Sequence, residues 1–114
     1  MFNLELKCFN RFFYKNDYVV PRHTHPYYEM IYYVKGCGSV TICGEESFFY
    51  PGTVAFIKPE LLHEEKGCAD TEVMFVSFEV PNLHLELQCG VVHDATGEIK
   101  RCLDEIESEL KRKD

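Results

Sequence analysis

The residues best able to do chemistry in this 114-residue chain lie in one short run, Arg22-His23-Thr24-His25-Pro26-Tyr27-Tyr28-Glu29. His23, His25 and Glu29 share parity, so in an extended segment they project to one face. Two neutral imidazoles two residues apart, with a carboxylate four further on, suit a divalent cation. The imidazoles offer nitrogen lone pairs, and Glu29 offers charge and an oxygen. Three ligands from one strand cannot close a site, and His63 is the available fourth. The alternative is that the four are polar groups lining a cavity, bonded to water, to one another or to an organic ligand. Tyr27, Ile31 and Tyr33 share the histidine parity and would form a cavity wall suited to sugars or ring compounds. Arg22 is a candidate partner for an anionic effector or a sugar hydroxyl, although its opposite parity points it outward. Tyr28, Met30 and Tyr32 take the other side, where packing against a second sheet is expected.

Strands must hold such a set. Residues 2–80 read as short extended runs separated by turn signals, the pattern of an all-β sandwich or barrel. The predicted strands are 2–8, 18–20 (ended by Pro21), 27–35, 39–43, 47–50, 53–58 and 72–80. Gly36-Cys37-Gly38, Gly44-Glu45 and Pro51-Gly52 are the turns between them, and Leu83, Leu85 and Leu87 allow one more short strand. In Phe48-Phe49-Tyr50, aromatics fall on both faces, as core plus rim. From Thr96 the period becomes helical: Ile99, Leu103, Ile106 and Leu110 form a narrow stripe, with Asp94 or Thr96 as N-cap. Glu107 and Glu109 precede Lys111 and Lys113 in the favourable i,i+4 order. The chain thus divides into a barrel over 1–95 and an amphipathic helix over 96–114, whose stripe suits a two-helix seam. Its last residues keep helical composition, so a longer protein cut at a domain boundary is expected.

Composition excludes several classes. Apolar residues make up 46% and aromatics 14%, which rules out a disordered chain. Nineteen acidic against twelve basic residues, a net charge of -7, repel a phosphate backbone, so this chain alone is a poor nucleic-acid binder. No apolar run approaches the ~18 residues of a membrane helix. The N-terminus shows no secretion signal, so a cytoplasmic protein is expected. Cysteines 8, 37, 43, 68, 89 and 102 follow no CxxC spacing and read as free, mostly buried thiols. Cys37 and Cys43 flank a predicted hairpin and are the pair to consider for a redox switch. His84 and His93 lack partners at ligand spacing and read as surface residues.

His23-x-His25-x-x-x-Glu29-x6-Gly36 resembles the first motif of the cupins, and Pro51-Gly52, followed by Lys58 and His63, resembles the second. Lys58 stands where cupins usually have proline, Glu60 where they have glycine, and the closing asparagine is absent. The resemblance spans about residues 19–80 and implies a double-stranded β-helix, or jelly-roll barrel. It also implies that His23, His25, Glu29 and His63 can hold zinc, nickel, manganese or iron. Within cupins, the first motif looks most like the N-terminal sensing domain of AraC-type transcription regulators. There a barrel is followed by dimerising helices and then by a DNA-binding domain with two helix-turn-helix motifs. That resemblance implies a small-molecule effector in the barrel, a homodimer through the C-terminal helix, DNA contact through a domain absent from this chain, and no catalytic residue. The competing expectation is a stand-alone metal cupin acting as oxygenase, isomerase or hydrolase.

Overall fold

Residues 28–35 are apolar at almost every position, and the strand they form, β3 (Tyr28–Lys35), buries both of its faces. It lies at the centre of a five-stranded antiparallel sheet of order β1-β8-β3-β6-β9. The other members are β1 (Glu5–Tyr14), β6 (Thr53–Ile57), β8 (Thr71–Glu79) and β9 (Gly90–His93). A four-stranded sheet of order β2-β7-β4-β5 faces it, formed by β2 (Val19–His23), β4 (Gly38–Ile42), β5 (Glu45–Phe49) and β7 (His63–Gly67). A helix, α1 (Glu98–Arg112), follows. This computed structural model describes residues 4–80 and 89–112, so the possible strand at Leu83, Leu85 and Leu87, and His84, lie outside the described residues.

The two faces of β3 serve two cores. Ile31 and Tyr33 join Val40, Phe49, Ala55, Ile57 and Val73 between the sheets, with Tyr33 stacked on Phe49 at 3.8 Å between centroids. Phe49 is buried and Phe48 and Tyr50 exposed, as the triplet implied. Tyr28 and Tyr32 join Met74, Val76 and Phe78 on the outer face of the same sheet. That face is covered by α1 through Leu103 and Ile99, and not by a second sheet. Half of the helical stripe is therefore used within the chain, while Ile106 stays exposed.

Asp94 and Thr96 both cap α1: the Ile99 and Lys100 amides donate to the Asp94 carboxylate, and the Glu98 amide donates to the Thr96 hydroxyl. Arg11 on β1 fastens the middle of the helix by donating to Glu107, and it also donates to Glu72 on β8. Glu107 thus serves β1 first, and Lys111 adds a favourable charge beside it.

Several elements differ from the sequence expectation. β1 extends to Tyr14, β2 runs through Pro21, and β7 and β9 were not anticipated. Pro21 is tolerated because β2 is an edge strand whose register with β7 shifts between Val20 and His23. The β4–β5 loop is Cys43-Gly44, one residue earlier than expected, since both take the positive φ (50° and 82°) that a type I′ turn requires. Gly36, at φ 106°, is needed for space as well: a Cβ there would come within 2.3 Å of the Thr71 hydroxyl.

Candidate functional site

β2 and β3 belong to different sheets, so His23, His25 and Glu29 do not share one strand face. His23 ends β2, His25 lies in the crossing between the sheets, and Glu29 points inward from β3 alongside Ile31 and Tyr33. Convergence comes from that crossing and from β7, which begins at His63 directly opposite His23 in the register. The β6–β7 loop is tied to the crossing where the Glu60 amide donates to the His25 carbonyl at 2.9 Å. Glu60 adopts φ 67°, the conformation a glycine would take, so the loop keeps its path without the glycine.

The three imidazoles meet: the ring centroids of His23 and His63 are 4.2 Å apart, and those of His25 and His63 4.8 Å. Each Nδ1 faces a backbone carbonyl, His23 that of Pro21 at 2.9 Å, His25 that of Tyr27 at 3.0 Å and His63 that of Leu61 at 2.8 Å. A carbonyl can only accept, so in a neutral ring Nδ1 carries the proton and Nε2 keeps its lone pair. One ligand atom from each ring lies within 4.8 Å of the others. The Nε2 atoms of His25 and His63 are buried without a hydrogen-bond partner. Glu29 Oε1 stands 3.4 Å from the first and 3.7 Å from the second. Burial pushes the His63 imidazole below its ordinary value, against the bond to Leu61, and nearby His23 adds to the effect. Neutral rings with Nδ1 bound to carbonyls and Nε2 converging are the arrangement that holds a transition metal. The donor set therefore fits such an ion.

The remaining predicted residues are placed differently. Tyr27 stacks on His25 at 4.5 Å between ring centroids and backs that imidazole. Ile31 and the Tyr33 ring are packed core, so the anticipated aromatic wall is filled protein, and the buried Tyr33 hydroxyl interacts with Glu65. Arg22 is exposed and lies outside the imidazole group. It shares a depression of about 230 Å³ with Thr41, Leu62, His63 and Glu64.

Sequence reasoning missed Glu65, two positions along β7 from His63 and therefore on the same inward face. Its buried carboxylate accepts a hydrogen bond from the Tyr18 hydroxyl, and Tyr18 stacks on Tyr14 at 4.1 Å. Burial pushes the Glu65 carboxyl above its ordinary value despite that bond. Burial, then Glu65, likewise raises the Tyr14 hydroxyl to about 12 and the Tyr33 hydroxyl well above its usual value. Period-two counting from His63 was the one signal able to find Glu65.

Residues 11–113 match the sequence profile described as the AraC-like ligand binding domain. No curated protein matches the chain. Among solved structures, an RmlC-like cupin from Shewanella frigidimarina is similar at 17% identity and TM-score 0.62, covering 68% of this chain and 69% of its own. A predicted oxalate decarboxylase from Thermotoga maritima is similar at 24% and 0.60, covering 64% of this chain and 66% of its own. Bacillus subtilis oxalate decarboxylase, described with Mn(II) centres, is similar at 20% and 0.55 over 65% of this chain. This chain spans just under two thirds of the Thermotoga protein and only 21% of the Bacillus one. The likenesses establish the fold, a cupin jelly roll.

Proposed function

The chain belongs to the family of AraC-like ligand binding domains, and from that premise we propose that it is the small-molecule-sensing domain of a transcription regulator, its effector anchored on a divalent transition metal. The observation that carries the metal is the convergence of three Nε2 lone pairs whose Nδ1 protons are already committed to carbonyls. His23, His25 and His63 would hold zinc, nickel, manganese or iron with Glu29 beside them, and the ion would supply a Lewis-acidic contact for an oxygen-bearing effector.

The chain's own residues do the rest. Glu29 offsets the cation's charge, Tyr27 fixes the His25 ring, and the packed Ile31, Tyr33 and Phe49 exclude water from behind the site. Sensing needs differential affinity for two states of the regulator, not a nucleophile or general base. In this reading the protein is cytoplasmic and not an enzyme. It pairs with a second copy through the rest of the α1 stripe, the exposed Ile106 with the half-buried Leu110, and reaches DNA through another domain. Sedimentation as a monomer at every concentration would remove the pairing. Among the described residues no helix is long and apolar enough to cross a membrane.

Metal analysis after incubation with Zn²⁺ or Mn²⁺ tests the site. One ion per chain, lost in His63→Ala, supports it, and the absence of stoichiometric metal with both ions overturns it. The Thermotoga neighbour's description favours a second reading, a metal cupin enzyme. Consumption of oxalate by the metal-loaded chain, abolished in His63→Ala, would replace sensing with catalysis.

A further inference from the structure

Cys37 does not face Cys43, since β4 separates them. It faces Cys68, 31 residues away, and the two sulfurs are 2.6 Å apart. The β4–β7 ladder brings them together: Gly38 pairs with Gly67, and at the next step outward the Cys68 amide donates to the Cys37 carbonyl at 2.9 Å. Directly opposed residues of an antiparallel pair have Cα atoms roughly 4.5–5.5 Å apart, inside the span a disulfide bridges. The two glycines keep that register tight. A Cβ on Gly38 would strike the Lys66 carbonyl at 2.1 Å, and one on Gly67 the Tyr18 ring at 2.1 Å.

The thiols are also reachable. Cys68 is exposed and Cys37 half-exposed, and both line an open groove of about 320 Å³ with Ser39, Phe48 and Lys66. No cysteine is buried, contrary to the sequence expectation. Cys8, Cys43 and Cys102 are exposed singly, and Cys89 accepts the Lys58 amide, so among the described residues no other thiol meets a thiol.

We propose that Cys37 and Cys68 are a reversible dithiol–disulfide site, oxidised by low-molecular-weight disulfides. One thiolate attacks a sulfur of the small disulfide, forming a mixed disulfide and releasing one small thiol. The second thiolate then attacks the protein sulfur of that bond and releases the other. The protein loses two electrons and two protons, and the small disulfide becomes two thiols. The new bond ties the β3–β4 crossover to the β7–β8 crossover, where Gly36 already lies against Thr71. It thereby clamps β7, the strand bearing His63 and Glu65, to β4.

The test exposes the full chain to excess oxidised glutathione, alkylates the remaining thiols and maps the peptides. Neither Cys37 nor Cys68 is then alkylated or carries glutathione, and one peptide pair joins them. In Cys37→Ser and Cys68→Ser the surviving partner retains a glutathione adduct, while Cys43→Ser and Cys102→Ser still form the cross-link. Six alkylated cysteines, a cross-link between chains, or bonds scattered over Cys8, Cys43 and Cys102 would each overturn the proposal.

Discussion

Asp94 and Glu65 are both buried carboxyls, and their surroundings drive them in opposite directions. Asp94 lies under the helix-covered face. Burial alone would raise it, but hydrogen bonds from Tyr32, Lys100, Ile99 and Gly97 outweigh that and hold it below its ordinary value. Glu65 lies between the sheets, where burial dominates the bond from Tyr18 and raises it. Around Asp94 each donor has an acceptor, including the Tyr32 hydroxyl at 2.8 Å. Near Glu65 the Tyr33 hydroxyl interacts with the carboxylate, but two buried imidazole nitrogens, of His25 and His63, have no partner. Buried polar atoms left unsatisfied cost about 1–3 kcal/mol each, so the first region is arranged for stability and the second keeps imidazole donor atoms free at some cost to it.

Substitutions should separate the two regions. The largest effect is expected from Leu103→Ala, where a side chain 4% exposed leaves the α1 interface. Denaturant unfolding should show a loss of about 3 kcal/mol, with Zn²⁺ stoichiometry unchanged. An effect of nearly that size should come from Zn²⁺ at a hundredfold excess over its dissociation constant, a gain of about 2.7 kcal/mol. That gain should vanish in His63→Ala, and if it survives, the imidazoles are not the ligands. Glu60→Gly relieves the positive φ in the loop before His63 and should stabilise the metal-free chain by about 1 kcal/mol, seen as a higher denaturation midpoint.

The smallest effects concern the two carboxyls. The lowered Asp94 contributes stability that is complete above its unfolded value of 3.8 and lost as pH falls through the lower folded value. Helix docking, followed by denaturation of metal-free protein, should weaken there in the parent and not in Asp94→Asn. The raised Glu65 has the reverse sign: stability falls as pH rises through its unfolded value of 4.5. Glu65→Gln should remove that decline, so an unchanged pH profile would put Glu65 outside the buried interior.

Strands whose inward residues are apolar were legible. β3, β6 and β8 carry the Ile, Val and Phe that mark a buried sheet, and α1 shows both its stripe and its caps. β7 was not legible because its sequence, HEEKG, turns His63 and Glu65 inward, where periodicity expects apolar side chains. The same substitution of polar for apolar that hid the strand marks the site. β9 is four residues long and recognisable only by its pairing with β6. The cysteines misled for a related reason: proximity along the chain suggested Cys43, whereas the β4–β7 register selects Cys68.

Residue types and spacing alone determined that the chain is a β protein with a closing helix, and that His23, His25, Glu29 and His63 are the set to examine. Both follow from local chemistry, strand and helix periods and the donor atoms of the side chains. Tertiary structure decided which of these groups meet, what α1 covers, and that Glu65 and Cys68 join the story. Those outcomes depend on where the chain crosses from one sheet to the other and on which strands pair. Both are set by contacts between residues far apart in sequence.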